Sequence, residues 1–442
     1  MDLLELLDNV SDSQNIWITE KDILSAGQIK TKVNALKSHN AELAGKRIII
    51  EMSNQTDALI WMIALDKLAK SVFLVPESLK SSKDYPQLKE VFNPDVIVND
   101  NDLSIELDKF SEKFENNDSD TSWVIATSGT TGTPKLIEHT TLSLTKTCKK
   151  NTERGNEFIW GLVFDPFRFA GLQVVLQALS SGSTLVFSNK IYDVSEQVVF
   201  MQRNSVNSLS ATPTYWRRLL MSGALSKAIL NLRQITLGGE AADEPTLRGL
   251  RKVFPDARIS HIYASTEAGV GFTVKDGLAG FPVNYLESGF GNVSLAISGQ
   301  NTLLINPGKY IPSDRTGKVV MSQDGYIDTG DIVKVEGDRI YFMGRDSGTI
   351  NVGGNKVMPE EVESVIRQLD EIEEVVVKPK SSGMMGQLVS AEIILKHGVE
   401  KKTFRVKLMD HCRQNLESYK VPALLRFIDD VNINSTGKIN RR

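Results

Sequence analysis

The chain has 442 residues, of which 41% are hydrophobic and 24% charged, and its formal net charge at pH 7 is −4. This composition is typical of a globular protein with an apolar core, and it argues against a basic nucleic-acid-binding protein or a protein that docks on anionic membranes. No apolar stretch is long enough to cross a bilayer, and the acidic start does not resemble a signal peptide. Two cysteines, Cys148 and Cys412, have no metal-binding or redox spacing. We therefore expect free thiols in a reducing cytoplasm.

Short apolar runs alternate with longer helical patterns in the first 120 residues. The runs at 47–50, 72–75 and 96–98 predict strands, and the pattern over 56–68 predicts a helix between two of them. Strands that alternate with helices in this way are typical of βαβ units, which build parallel sheets.

The next stretch, TSGTTGTPK at 127–135, follows an apolar strand at 123–126. A loop rich in glycine and hydroxyl side chains presents several N–H and O–H donors to one point, and this arrangement suits phosphate groups. The alternative is an ordinary polar surface turn. The glycines are too close together for a Walker A loop, and a proline precedes the lysine. The candidate phosphate-binding residues are Thr127, Ser128, Gly129, Thr130, Thr131, Gly132 and Lys135.

The α/β pattern continues over 160–262, with strands predicted at 160–164, 183–187, 208–211 and 234–237. Glycine and proline then become frequent, and short strands at 302–305, 317–321 and 339–343 indicate a compact β region. A boundary near Gly344 and Arg345 precedes a region with helices from 359 and over 403–416, and strands at 375–377 and 388–395. We predict an α/β fold: a large N-terminal domain, 1–344, of layered parallel-rich sheets with helices and a small β region, and a small mobile α+β C-terminal domain, 345–442.

Five further motifs stand at the ends of predicted strands or in turns: LGGE at 237–240, YASTE at 263–267, DTGD at 328–331, GRDSG at 344–348 and NSTGK at 434–438. YASTE combines an aromatic face, hydroxyls and a carboxylate, which could stack on a base, contact phosphate and bind Mg²⁺. The DTGD carboxylate suits sugar hydroxyls. Each motif alone is equally typical of an ordinary turn or strand end.

Together and in this order, the motifs resemble those of the adenylate-forming enzymes, which include acyl- and aryl-CoA ligases, luciferases and the adenylation domains of peptide synthetases. The resemblance runs from about Trp123 to the last residue. His139, close behind the phosphate loop, and the compact length are similar to the short o-succinylbenzoate–CoA ligases in spacing.

The resemblance implies roles for individual residues. Residues of the phosphate loop bind ATP, Tyr263 stacks on adenine, and Asp331 holds the ribose hydroxyls with Arg345 close by. Thr266 contacts phosphate, Glu267 binds Mg²⁺, and Lys438 is the lysine of the adenylation step. The remaining implied positions are Ala264 and Ser265 beside the nucleotide, Gly238, Gly239 and Glu240 along the adenine and acyl site, Phe167 and Arg168 at the acid, Asp346 and Ser347 at the hinge, and Gly353 and Gly354 beside the thiol.

The sequence departs from the family at several of these places. Ser347 stands where an Asp or Lys hinge is usual, and Asn351 stands where many acyl-CoA ligases have lysine, which leaves the thioester half of the reaction open. The stretch FDPFRFAG, 164–171, lacks the usual histidine. Arg168 could meet a second carboxylate on the substrate or face solvent. Asp165 echoes the aspartate that amino-acid adenylation domains use for the α-amine.

The expected function is activation of a small carboxylic acid by ATP and Mg²⁺ to an acyl-adenylate, followed by transfer to coenzyme A. The alternatives are transfer to the phosphopantetheine of an acyl carrier protein, activation of an amino acid, or a module that binds ATP or AMP without turnover. A kinase is disfavoured because no Walker A loop or kinase lysine strand is present. We expect a cytoplasmic enzyme without nucleic-acid or membrane partners. Its oligomeric state stays open, with a homodimer as one candidate.

Overall fold

The computed structural model describes residues 2–100, 120–127, 134–188, 193–308, 313–316, 321–382 and 385–429. Lys438, most of the predicted strand at 317–321 and five residues of the predicted phosphate loop lie outside these ranges: Ser128, Gly129, Thr130, Thr131 and Gly132.

The strands of the described residues are β1 (Asn15–Ile18), β2 (Ile23–Ser25), β3 (Arg47–Glu51), β4 (Ser71–Leu74), β5 (Val96–Asn99), β6 (Ser122–Ala126), β7 (Leu136–Thr140), β8 (Ile159–Leu162), β9 (Thr184–Val186), β10 (Ser208–Ala211), β11 (Gln234–Gly238), β12 (Arg258–Ser265), β13 (Gly269–Val274), β14 (Phe281–Pro282), β15 (Ser294–Ile297), β16 (Thr302–Asn306), β17 (Ser313–Asp314), β18 (Ile327–Glu336), β19 (Arg339–Arg345), β20 (Ile350–Val352), β21 (Asn355–Val357), β22 (Ile372–Ser382), β23 (Gly386–Leu395) and β24 (Leu424–Phe427).

The α-helices of the same residues are α1 (Ala26–His39), α2 (Gln55–Leu65), α3 (Glu77–Lys80), α4 (Tyr85–Phe92), α5 (Thr141–Thr145), α6 (Thr152–Gly155), α7 (Phe169–Ser181), α8 (Val194–Arg203), α9 (Pro213–Met221), α10 (Ala224–Lys227), α11 (Glu244–Val253), α12 (Tyr285–Ser288), α13 (Pro359–Ile366) and α14 (Lys401–Asn415). None of the helices in the described ranges is both long and apolar enough to span a membrane.

Two large sheets form the centre of the N-terminal part. One has eight strands in the order β13-β12-β11-β10-β8-β9-β1-β2, and the other has six in the order β17-β7-β6-β4-β3-β5. In the eight-stranded sheet the inner pairs are parallel and the two edge pairs are antiparallel. In the six-stranded sheet β6, β4, β3 and β5 are parallel, and β7 and β17 are added antiparallel at the other edge. The apolar helix α2 is almost wholly buried in a core that contains side chains of both sheets. This packing explains why the parallel strands are continuous apolar runs, since both of their faces are covered.

A third sheet, β14-β19-β18-β16-β15, is the compact β region, and a fourth, β21-β20-β23-β22 with β24 beside β23, carries the C-terminal residues. The predicted α/β class, with a large N-terminal and a small C-terminal domain, is confirmed. The boundary at 344–345 remains a prediction, and it is consistent with the change of sheet after β19 ends at Arg345.

Strand direction brings the predicted motifs together. In the eight-stranded sheet, β11 ends at Gly238 and its parallel neighbour β12 ends at Ser265, so LGGE and the end of YASTE leave the sheet at one edge. In the six-stranded sheet, β6 ends at Ala126 and leads into the phosphate loop. The carboxyl ends of parallel strands are where α/β proteins bind ligands.

A buried chain of ion pairs joins the C-terminal part to the N-terminal part. Arg217 of α9 donates to Asp243 at 2.9 Å and to Glu374 of β22 at 3.1 Å, and Glu374 also accepts from Arg367 at 3.0 Å. Burial alone would raise the pKa of Glu374, but Arg367 and Arg217 hold it below its ordinary value. The carboxylate is therefore ionised, and it needs both arginines as partners.

We expect Arg217→Gln to lower the free energy of unfolding by roughly 3 kcal/mol, because it leaves the buried Glu374 carboxylate and the partly buried Asp243 carboxylate short of a charged partner. Urea unfolding at pH 7 measures this change. The control is Arg233→Gln, which removes an ion pair to Glu157 that is more than half exposed; its effect should stay within about 0.5 kcal/mol. Equal effects of the two substitutions would contradict the importance of the buried chain.

Candidate active site

One cavity of about 1970 Å³ lies where the carboxyl ends of the two large sheets, the third sheet and helix α13 meet. It brings together most of the predicted site residues that the structure describes. Those lining it are Thr127, Arg168, Gly238, Gly239, Glu240, Tyr263, Ala264, Ser265, Thr266, Glu267, Asp331 and Arg345.

The phosphate-loop lysine meets the predicted magnesium ligand at this cavity. Lys135, just before β7, places Nζ 3.4 Å from Oε1 of Glu267, and each side chain is 22% exposed. The two residues come from different sheets and are 132 positions apart. Half-buried opposite charges attract more strongly than exposed ones, so the pair holds the loop end beside the YASTE turn. In that turn, the Ser265 hydroxyl accepts the backbone N–H of Ala268 at 3.0 Å.

Glu267 fits the metal that the sequence implies. No group of three or more potential ligand side chains gathers among the described residues. Magnesium is usually held by only one or two carboxylates together with substrate phosphates. A single carboxylate beside a phosphate loop is therefore a suitable donor set for Mg²⁺ delivered with ATP.

A second charged pair marks the predicted ribose site. Asp331 and Arg345 lie directly opposite each other on β18 and β19, and Nε of Arg345 donates to Oδ1 of Asp331 at 2.7 Å. The Tyr263 hydroxyl donates to Oδ2 of the same carboxylate at 2.5 Å. Burial and the neighbouring Asp331 raise the pKa of Tyr263 well above its ordinary value, so the hydroxyl remains a donor. Burial would lower the pKa of Arg345, but Asp331 raises it above its ordinary value.

The Tyr263 ring belongs to an aromatic group at the seam between two sheets. It stacks nearly parallel with Phe272, its cross-strand neighbour, at a centroid distance of 5.3 Å, and with Phe342 of β19 at 5.0 Å. Stacked rings of this kind fix the orientation of the tyrosine. The stacking therefore holds the ring in a set position at the wall of the cavity.

The LGGE loop is anchored through its acidic residue. Both the backbone N–H and the hydroxyl of Thr214 donate to the Glu240 carboxylate, at 3.0 and 2.7 Å. Gly239 has a φ of +81°, a conformation that side-chain-bearing residues rarely adopt. The loop can therefore present its backbone to a ligand. Thr214 also accepts from Arg217 at 2.9 Å, which connects this wall of the cavity to the buried chain of ion pairs.

The structure corrects one residue of the predicted acid site. Phe167 is 3% exposed and packs in the core, and its neighbours Phe164 and Phe169 line the cavity instead. Gly171 explains the tight loop, because a Cβ there would lie 2.1 Å from the backbone oxygen of Asp165. The loop must fold back on α7, and this reversal turns Phe167 inward.

Asp165 also lines the cavity, but its carboxylate is engaged by the loop. Oδ1 accepts the backbone N–H of Phe167 at 2.9 Å, and the backbone of Glu77 also donates to the carboxylate. Burial raises the pKa of Asp165 above its ordinary value. The side chain therefore stabilises the loop.

The predicted thiol-channel and hinge residues lie away from the cavity walls. Gly353 and Gly354 form the exposed tip of the β20–β21 hairpin, with φ of +57° and +92°. Asp346 and Ser347 lie in an exposed turn directly after Arg345, where Asp346 pairs with Lys356 at 2.8 Å. In this structure α13 faces the cavity in place of the hairpin.

His139 lies on β7, next to the phenylalanine Phe169 of the acid pocket. It is 3% exposed on β7, and its ring packs against Phe169 at a centroid distance of 5.5 Å. Burial lowers the pKa of His139 to about 4, so the ring is neutral at pH 7. Its role in the described structure is to support Phe169 from behind.

Comparison with known proteins agrees with this geometry. A family model for AMP-binding enzymes matches residues 36–328, and a model for their C-terminal domain matches residues 361–438. The chain belongs to the AMP-binding enzyme family. The confirmed likeness includes the expected resemblance to o-succinylbenzoate–CoA ligases.

Three relatives of this AMP-binding enzyme illustrate how sequence identity and coverage vary among the similar proteins. The 2-succinylbenzoate–CoA ligase of Lactococcus lactis subsp. lactis (strain IL1403) is 25% identical over 444 residues, which cover 94% of each protein. Surfactin synthase subunit 1 of Bacillus subtilis (strain 168) is 25% identical over 361 residues, which span 73% of this chain but only 10% of that much longer protein. The solved o-succinylbenzoate-CoA synthetase of Bacillus subtilis, in complex with the acyl-adenylate intermediate OSB-AMP, shares the fold with a TM-score of 0.76 at 20% identity, covering 99% and 96% of the two chains.

Several site residues of this AMP-binding enzyme were missed in the sequence. Thr214 and Phe342 sit in stretches with ordinary helix-start and strand patterns, and no local signal separates them from structural residues. Arg217 and Glu374 carry opposite charges within apolar surroundings, which could have indicated a buried pair, but their separation of 157 positions conceals the partnership.

Acid should destabilise the protein through His139. Its pKa is about 4 in the folded protein and 6.5 when unperturbed, so its contribution to stability is present above pH 6.5 and is lost as the pH falls toward 4. Between pH 7 and pH 4 the free energy of unfolding of His139→Phe should fall by about 3 kcal/mol less than that of the wild type. Urea unfolding at a series of pH values measures the difference, with the exposed His397→Phe as control. Parallel pH profiles of wild type and His139→Phe would rule out this role.

Proposed function

We propose that the protein joins a carboxylic acid to a thiol in two steps and consumes ATP in the first. The observation that carries the proposal is that Glu267, which pairs with Lys135, lines the same cavity as the Asp331–Arg345–Tyr263 group. The chemistry of the first pair suits phosphates and Mg²⁺, and that of the second group suits a ribose and its base. The acid pocket around Phe164 and Phe169 opens into the same space.

In the first step, an oxygen of the acid's carboxylate attacks the α-phosphorus of ATP. The bond from that phosphorus to the β-phosphate oxygen breaks, so pyrophosphate leaves and an acyl-adenylate forms. Both reactants are anions, and positive groups must offset their repulsion and the charge of the transition state. Lys135 supplies one such charge at the phosphates, and Lys438 is proposed to supply another from the C-terminal domain. Magnesium, when held by Glu267, neutralises phosphate charge.

In the second step, the sulfur of a thiolate attacks the acyl carbon of the adenylate. The bond from that carbon to the AMP oxygen breaks, so a thioester and AMP are released. We propose coenzyme A as the thiol, with carrier-protein phosphopantetheine as the alternative. The hinge at Asp346 and Ser347 would turn the domain so that Gly353 and Gly354 approach the cavity that α13 now faces. Such gating by domain motion is common in enzymes with sequential half-reactions.

The proposal extends to the cellular setting. The two thiols and the acidic net charge suit a reducing cytoplasm and give no support to a nucleic-acid partner. A homodimer stays a prediction, which light scattering of the purified protein would test. The remaining alternative, nucleotide binding without turnover, is disfavoured because binding alone requires neither Glu267 nor Lys438.

Pyrophosphate exchange over a panel of carboxylic acids, amino acids included, tests the first step. We expect ATP-dependent exchange with at least one acid, and exchange with none of them in folded protein would overturn the proposal. Thioester formation with free coenzyme A and with a phosphopantetheinylated carrier protein then identifies the acceptor. Preference for the carrier would establish the alternative acceptor.

Glu267→Gln should reduce the rate of pyrophosphate exchange by roughly 10²- to 10³-fold, because the metal loses its protein carboxylate. It should also raise the Mg²⁺ concentration needed for half-maximal rate. Glu157→Gln, on the surface, is the matched control and should change neither quantity. An unchanged Mg²⁺ titration in Glu267→Gln would refute the metal assignment.

Lys438→Ala should abolish adenylate formation from ATP but spare thioester formation from a supplied acyl-adenylate, because only the first step builds charge at phosphorus. The two half-reactions are measured separately, by pyrophosphate exchange and by thioester release. Lys401→Ala, which removes an exposed lysine of the same domain, is the control. Equal loss of both half-reactions would contradict the proposal that Lys438 acts only in the adenylation step and that the C-terminal domain turns before the thioester step.

A further inference from the structure

Arg168 is a charged residue of the acid pocket whose guanidinium lacks part of its hydrogen-bond partners in the described structure. Its Nη2 donates to the Ser78 hydroxyl of α3 at 3.0 Å, while its Nε is buried without a hydrogen-bond partner. No carboxylate of a described residue pairs with its guanidinium within 4 Å, although it lines the cavity. Burial lowers the pKa of Arg168, and the more distant Asp165 offsets only part of that effect. An arginine keeps its charge even so, and the site gains from an added anion.

The backbone adds to this positive end of the pocket. Arg168 is the residue that precedes α7, a helix of 13 residues, and its side chain does not cap the helix. The next two residues, Phe169 and Ala170, also line the cavity. The first N–H groups of a helix are unpaired within it and carry partial positive charge, so they favour an anion at the same place as the guanidinium.

The neighbouring acid does not make the pocket suitable for an amine. The Asp165 carboxylate already accepts backbone N–H groups from its own loop and from Glu77. The carboxylate is therefore already partly satisfied by the backbone, whereas the buried Nε of the guanidinium has no hydrogen-bond partner. This difference favours an anionic group over a cationic one at this end of the pocket.

The walls between this end and the nucleotide site are apolar in part. Phe164, Phe169 and Val174 line the pocket beside Arg168, and Ala264 and Val270 line it toward the YASTE turn. Such walls suit a carbon chain or ring. An acid that fills the pocket would thus have an apolar middle and an anionic far end.

We propose that Arg168 binds a second anionic group on the acid, so that the preferred substrates are dicarboxylates or equivalent dianions with an apolar spacer. The inference rests on the proposed function, because it concerns the acid that is activated. Arg168 would act as a specificity-determining residue that contacts the substrate away from the reacting carboxylate.

Paired acids test the inference by pyrophosphate exchange: benzoate against isophthalate, and hexanoate against adipate. In wild type we expect the dicarboxylate of an active pair to have the higher kcat/KM. Arg168→Gln should lower kcat/KM for that dicarboxylate by roughly 10- to 150-fold, the range for one hydrogen bond to a charged group, and should leave the monocarboxylate within about twofold. Arg168→Lys keeps the charge and should lose less. Arg233→Gln, at an exposed position outside the cavity, is the matched control.

The outcomes separate the two proposals. Equal preference within every active pair, or equal losses for both acids in Arg168→Gln, would overturn the inference and leave the proposed function intact. A raised KM for ATP that is independent of the acid would also overturn it, because Arg168 would then serve the phosphates. If no acid of a wider panel supports pyrophosphate exchange, the proposed function itself is refuted. Thermal unfolding of Arg168→Gln checks its fold; if it is unfolded, Ser78→Ala replaces it, with a selective loss for dicarboxylates expected.

Discussion

An attraction between two half-buried charges, the Lys135 ammonium and the Glu267 carboxylate, lies at the centre of the molecule. The two groups come from different sheets, and their 3.4 Å approach marks the point where those sheets converge. In the absence of nucleotide each charge satisfies the other. In the proposed mechanism the ammonium would turn to the phosphates and the carboxylate to the metal, with little reorganisation of the surrounding protein. In a site whose side chains are already ordered, little of the binding free energy is lost to ordering them.

The third sheet depends on the same meeting point. It brings Asp331 and Arg345 opposite each other on neighbouring strands and presses Phe342 against Tyr263 of the eight-stranded sheet. The hydroxyl of that tyrosine then reaches Asp331, so aromatic packing and charge hold the two sheets in one orientation. The candidate nucleotide site is therefore a product of how three sheets pack, and no single element contains it.

The sequence predicted what depends on local pattern. Most apolar runs are strands close to the predicted bounds, although the strand predicted at 375–377 extends over Ile372–Ser382. The YASTE and LGGE motifs lie on the cavity as expected because parallel strands end at one edge. It could not predict the direction of side chains in an irregular loop: Phe167 turns inward because the loop packs on Gly171, a contact set by tertiary structure. Nor could it pair Arg217 with Glu374, since burial creates that interaction between residues far apart in the chain. The hydrogen bond from the backbone N–H of Phe167 to the Asp165 carboxylate could likewise not be predicted, because it depends on the conformation of an irregular loop.

The two cysteines have a practical consequence. Burial raises the pKa of the Cys148 thiol and of the Cys412 thiol to about 11 each, so neither is a reactive thiolate at neutral pH. Maleimide dyes should therefore attach preferentially to a pair of cysteines introduced on the surface, one in each domain, without removal of the native pair. Energy transfer between two such dyes would then test, molecule by molecule in solution, whether the C-terminal domain turns as proposed.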